Sequence, residues 1–260
     1  MEKYNKLTAS LVIFLLVVMS IGVFVSATTI SDRGVTSVDG NYSGNINIAD
    51  GSYYKYGGQN AFRLAKGTDT YYANTFVGLN AGNSTAYRQT AVGTFAGYLN
   101  SGGRQTVVGL SAGQSNSGAS QTAVGYYAGY SNSGASQTAI GFSAGNSNTG
   151  NAQTAIGYNA GRSNTGASQT VIGSRAGQSN TGNQVTGLGY YATYNNSGND
   201  VVGIGYQAGK DNTVSNQFIV KQANINAVPL IQGDFLSGNV GIGTTTPQNK
   251  LNVIGDANVT

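Results

Sequence analysis

The sequence predicts an all-β chain, a parallel β-roll or β-solenoid with 16-residue coils, on three observations. The first is a period running from Asn74 to Asn212. Its anchoring glycines are Gly78, Gly93, Gly109, Gly125, Gly141, Gly157, Gly173, Gly189 and Gly205, one step of 15 followed by seven of 16, and self-similarity of this kind marks a solenoid. The second is the glycine content of every unit. A pair of helices needs roughly 30 residues, and glycine costs a helix about 1 kcal/mol relative to alanine, so the unit is too short and too glycine-rich to be helical. The third is its internal order: a Gln-Thr-Ala-Val/Ile-Gly stretch of period-2 alternation, a second stretch ending in Ala-Gly, and a Ser-Asn-Ser/Thr-Gly turn. That order predicts two short strands and two turns per coil.

The elements follow in chain order. Residues 1–27 predict a secretory signal peptide, with Lys3 and Lys6 ahead of an apolar run from Leu11 to Val25 and small residues in Val25-Ser26-Ala27. An uncleaved anchor is the alternative, because the uncharged stretch from Leu7 to Ser31 is long enough for a bilayer core of about 30 Å. Either way the repeats leave the cytoplasm, and the expected location is secreted or cell-surface. Residues 28–73 lack the period; with Tyr53-Tyr54-Lys55-Tyr56 and Ala61-Phe62-Arg63-Leu64 they are expected to form a leading segment and an N-terminal cap over the exposed solenoid edge. Residues 74–213 are the repeat β-roll, and residues 214–260 are expected to be an adaptor to a fibre or stalk.

Parallel coils stacked about 4.7–4.9 Å apart place each residue above its copy, so columns can be read directly. One, with Val92, Val108, Val124, Ile140, Ile156 and Ile172, is expected to be an inward core column, and a second, with Ala112, Ala128, Ala144 and Ala160, to fill the opposite wall. A third column, Asn100 to Asn212, is expected to bond up and down the pile at the turn. Thr90, Thr106, Thr122, Thr138, Thr154 and Thr170 share parity with the Val/Ile column and are expected to point inward with it, whereas Gln153 lies on the opposite, tolerant parity. Nine coils make a rod of about 43 Å. One branched residue per coil is little core against about 1–2 kcal/mol of backbone entropy per residue, so a monomer is under-supported. The position after the anchoring glycine reads Leu110, Tyr126, Phe142, Tyr158, then Ser174, Tyr190 and Tyr206; this mostly aromatic stripe is expected to be a trimer interface. An exposed stripe that only stiffens the sheet is the alternative.

Composition removes several functions. Beyond Ala27 the chain has eleven Lys or Arg and eight Asp, and no His, Cys or Glu. Its basic balance therefore reflects few charges rather than a cationic patch, and nucleic acid is not expected as a partner. Disulfides, thiol chemistry, cofactors and metals are not expected. Only Asp200 and Asp211 lie in the repeats, too few carboxylates for general acid–base or glycosidase chemistry, so the chain is not expected to be an enzyme. Asn41, Asn83, Asn195 and Asn258 begin Asn-x-Ser/Thr sequons, which chance supplies readily in so polar a chain.

The Thr-Ala-Ile-Gly-x-x-Ala-Gly unit with its Asn-Thr-Gly turn, seen in Thr138 to Gly150, resembles the YadA-like head repeats of trimeric autotransporter adhesins and the Asn-Thr-Ala-Ile-Gly arrays of fibre proteins. The segment Gly238 to Gly255 is similar to stretches that precede a stalk or chaperone domain in such fibres. The resemblance implies a left-handed roll assembled as a homotrimer. It also implies cell adhesion: an extracellular adhesin or fibre head whose repeated polar faces bind a surface ligand, a glycan or a matrix protein. Two other readings stand beside it, a structural filament or spacer and, through the threonine column, an ice-binding solenoid.

Overall fold

The computed structural model describes residues 30–31, 34–35, 53–56, 59–66, 73–82, 86–225 and 227–255. The expected signal peptide, residues 1–27, lies outside them. The chain divides into two units, Met1–Asn47 and Ile48–Thr260. In the first, β1 (Ile30–Ser31) and β2 (Gly34–Val35) form a short antiparallel pair.

The second unit is an all-β solenoid. It opens with β3 (Tyr53–Tyr56) and β4 (Gln59–Lys66), antiparallel to each other, and β4 pairs antiparallel with β5 (Ala73–Val77). From β5 one short strand per coil joins a parallel ladder. The rungs are β6 (Gln89–Val92), β7 (Gln105–Val108), β8 (Gln121–Val124), β9 (Gln137–Ile140), β10 (Gln153–Ile156), β11 (Gln169–Ile172), β12 (Thr186–Leu188), β13 (Val202–Ile204) and β14 (Gln217–Val220). The register keeps the sequence period, so Gln153 pairs with Gln137 and Gln169, and Ile156 with Ile140 and Ile172. The parallel stack thus runs one rung past Asn212. It closes with β15 (Ile231–Asp234) and β16 (Asn239–Ile242), both antiparallel to their predecessors, and β17 (Leu251–Val253).

Only the Gln-Thr-Ala-Val/Ile stretch is a strand; the second expected strand is a ribbon of turns. In the β9 coil, Ser143, Gly145, Ser147 and Ala152 all have φ between 51° and 59°. Left-handed residues reverse the chain over short arcs, which a strand cannot do. The ribbons still bond between coils, as in Ser143 N–H to the Tyr126 carbonyl at 2.8 Å and Ser147 N–H to the Tyr130 carbonyl at 2.8 Å.

The inward face is the reverse of the one expected. Along β7, β8 and β11 the pattern is buried, exposed, buried, exposed. Gln and Ala, or Val at 107 and 171, enter the core, while Thr and the Val/Ile column face out: Val92 is 36% exposed, Val108 and Val124 38%, Ile140 38% and Ile172 40%. Ile156 is half-buried. The reason is the narrowness of the coil. Ala139 of β9 faces Ala144 of its own coil, both buried, in one cluster with Ala123 and Ala128, and the coil interior is filled by small residues with a valine in some coils, as at Val107 and Val171. Ala112, Ala128, Ala144 and Ala160 are fully buried.

In the coils of β6 to β11 glutamine also brings donors into the core, whereas Val185 and Val201 fill the same column, fully buried, in the β12 and β13 coils. The inward carbonyls of the turns require donors, and Gln137 Nε2 donates to the Gly150 carbonyl at 3.0 Å, Gln169 Nε2 to Gly182 at 2.7 Å and Gln153 Nε2 to Gly161 at 3.4 Å. Asn148 works beside it: its amide donates to the Gly150 carbonyl at 2.8 Å and its oxygen accepts from the Gly150 N–H at 3.2 Å. The asparagine column bonds chiefly within its own turn in this way, with contacts along the pile at Asn196 to Asn180 (3.1 Å) and Asn212 to Asn196 (2.8 Å). Gln153→Ala is accordingly expected to destabilise, by about 1–3 kcal/mol, because it removes a buried donor and leaves a void. Thermal unfolding beside Thr154→Ala checks this, and equal shifts would return Gln153 to the tolerant face.

Two glycine columns make the stack possible. A β-carbon on Gly150 would lie 2.0 Å from the Gly166 carbonyl oxygen of the next coil, and one on Gly141, at φ 130°, 2.6 Å from the Gly157 oxygen.

Candidate functional site

The outward strand face is built from the period-2 alternation just described. Each rung presents a threonine, then Val or Ile, and after the glycine the residue of the aromatic stripe. Because the register is unbroken, these become parallel ladders of one residue type. Leu110, Tyr126, Phe142, Tyr158 and Tyr190 are 42–47% exposed, and Tyr206 is half-buried. Tyr126 stacks on Phe142 with centroids 5.1 Å apart and planes 10° from parallel, Phe142 on Tyr158 at 5.3 Å, and Tyr190 on Tyr206 at 5.4 Å. Ser174 interrupts the stripe. The guanidinium of neighbouring Arg175 spans the break, 6.0 Å from the Tyr158 ring and 5.2 Å from that of Tyr191, and donates to the Tyr191 hydroxyl.

Comparison with protein families, curated proteins and solved structures finds no match. The surface must speak through its own chemistry.

Beyond the stripe, along each coil, the turn ribbon carries the positions that vary. Two residues after the glycine, Ser111 and Ser143 alternate with Tyr127, Asn159, Arg175 and Tyr191; three residues further on stand Tyr130, Asn146, Arg162 and Tyr194. Tyr127, Tyr130, Phe142, Tyr158, Asn159 and Arg162 line an open groove of about 370 Å³. Tyr127 meets Tyr130 edge to face at 5.1 Å and Tyr126 at 4.4 Å. The Tyr127 hydroxyl contact raises the pKa of Tyr126. Asn159 is 5% exposed, and its Oδ1 is buried without a hydrogen-bond partner.

Sequence reasoning named the stripe and missed this groove. The available signal was the departure of these positions from the repeat consensus, since invariant positions serve the stack and variable ones make one coil differ from the next.

A related cluster lies four coils on. Tyr191 packs edge to face on Tyr190 at 4.5 Å and on Tyr194 at 5.1 Å, and its cation, Lys210, is bound to Asp211 at 2.8 Å. Hydrogen bonds from Lys210 and from Asn195 (2.9 Å) hold the Asp211 carboxyl below the usual carboxylate range. Asp200 sits in the column of Ser136 and Asp211 in that of Ser147, on separate arcs of the coil. Among the described residues, no group of three or more His, Cys, Asp or Glu is placed to hold a metal ion.

Proposed function

We propose that this chain is the head of an extracellular adhesin or fibre, a homotrimer that attaches to surfaces through its side chains and performs no catalysis. The observation that carries the reading is the outward Thr-x-Val/Ile face with its stacked rings. Burying Val or Ile is worth about 1.5–3 kcal/mol each, and nine rungs that spend their branched residue outside are arranged to bury it against something. A second and third copy of the same chain present ladders of the same rise, so each rung meets an equivalent rung. The stripe at Tyr126, Phe142 and Tyr158 borders that contact, and the left-handed sense implied by the resemblance belongs to the same proposal. Secretion by residues 1–27 would deliver the head to the cell exterior.

Light scattering on residues 28–260 is expected to give three times the chain mass, and beads coated with the protein are expected to adhere to glycan-bearing cells. A folded monomer would defeat the assembly. Trimers whose beads adhere to nothing would leave the structural spacer as the function. Asp200→Asn combined with Asp211→Asn is expected to leave adherence unchanged, and glycan turnover lost in that variant would make the protein an enzyme.

One observation favours a second reading. Outward Thr90, Thr106, Thr122 and Thr170 are exposed in a regular array, which an ice-binding face requires. That use needs the face bare, whereas the trimer covers it, so thermal hysteresis by a monomer would select the ice-binding solenoid.

A further inference from the structure

We propose that the groove between the β8 and β10 coils binds a carboxylate-bearing pyranose, a uronic or sialic acid, at the end or within the chain of a surface glycan. The proposal rests on the adhesin reading and names the chemistry of its ligand. The groove volume of about 370 Å³ falls at the lower end of the range of roughly 300–1,000 Å³ for small-ligand sites, room for one or two sugar rings.

Its walls suit a molecule that is apolar on its faces and polar at its rim. The Phe142 and Tyr158 rings lie 17° from parallel on one side, and Tyr127 and Tyr130 stand at 89° to each other on the other. Flat rings offer a surface for the C–H face of a pyranose, and the tyrosine hydroxyls offer bonds at its edge. Asn159, 5% exposed, forms part of the groove lining; its Oδ1, buried without a partner as are the oxygens of Gln121, Gln137, Gln153 and Gln169, meets a sugar hydroxyl only when the side chain turns outward.

The acidic group follows from Arg162. Its side chain is exposed, it forms no ion pair among the described residues, and no carboxylate lines the groove. A guanidinium so placed holds a carboxylate by two parallel N–H donors. The cluster at Tyr190, Tyr191 and Tyr194 provides the contrast, for its lysine is bound to Asp211 and the Tyr191 hydroxyl is taken by Arg175. The Tyr-Tyr-x-x-Tyr trio therefore occurs twice, and beside the first of the two Arg162 has no acidic partner among the described residues. Phe142 and Tyr158 also border the proposed trimer contact, so the test is placed on Arg162 and Asn159.

Titration calorimetry of the full chain with glucuronate, N-acetylneuraminate, glucose and acetate tests the assignment. Saturable binding of at least one carboxylated sugar is expected, with glucose and acetate at least about tenfold weaker; which of the two binds identifies the glycan. Arg162→Gln is expected to weaken binding about tenfold or more, as for loss of a charge-assisted bond, with unchanged melting, and Asn159→Ala to weaken it by a smaller factor. Absence of binding by both acids, equal affinity for glucose or acetate, or full affinity in Arg162→Gln would overturn the proposal. Coated beads separate the two readings. Adherence unaffected by Arg162→Gln defeats the groove alone; wild-type beads that adhere nowhere while the sugar still binds defeat the adhesin alone.

Discussion

Gly150→Ala is expected to lower the melting temperature by about 6–12 °C, the equivalent of about 3 kcal/mol in a chain of this size. The added carbon would stand 2.0 Å from the Gly166 oxygen and 2.7 Å from its carbon, both backbone atoms that cannot rotate away. Relief requires the two coils to part where Thr149 N–H meets the Asn164 carbonyl at 2.9 Å. Thr149→Ala, at an exposed neighbouring position, is expected to stay within about 0.5 kcal/mol. Scanning calorimetry of the two variants checks the column, and equal melting would mean that the coils are not held at this spacing.

Ala155→Asp and Ile156→Asp are expected to fail in different ways although the residues are adjacent. Ala155 is fully buried in a cluster with Ala160, Val171 and Ala176. A carboxylate there lacks any partner and costs several kcal/mol, so loss of the β signal in circular dichroism is expected well below the wild-type melting temperature. Ile156 is half-buried on the outward face, where a carboxylate stays hydrated. Ile156→Asp is expected to keep the fold and reduce the solution mass to that of one chain. The same mass as wild type would show that the Val/Ile ladder takes no part in assembly, and unfolding as severe as that of Ala155→Asp would return the ladder to the interior.

The period, the all-β class and the parallel stacking could be read from the spacing of Gly93 to Gly205, because a repeat of fixed length leaves few architectures. Parity could not. In Gln137-Thr138-Ala139-Ile140 the two alternations are Gln with Ala and Thr with Ile, and bulk hydrophobicity argues for Thr with Ile inside. What decides is the width of the coil and the donors its turns demand, set by residues eight to thirteen positions away, as with Gln137 and Gly150. The second strand was over-read for a related cause: Phe142-Ser143-Ala144-Gly145 alternates like a strand, yet positive φ at Ser143 and Gly145 bends it into a turn. Of the candidate site, the stripe was visible because it repeats. The groove escaped because Tyr127, Asn159 and Arg162 stand in columns that change residue type from coil to coil, and their convergence depends on which coil stacks on which.

The uniform register has a consequence for growth. Every rung from Gln89 to Gln169 meets the next in one register, with only Ala/Val and Val/Ile exchanges between paired strand positions, so junctions between coils share one backbone geometry. A tandem gain or loss of whole coils changes the reach of the rod by about 4.8 Å per coil and keeps the glycine columns aligned. Reach is thereby quantised in whole coils, and a coil that carries its own surface chemistry can be added, duplicated or dropped without redesigning the backbone of its neighbours.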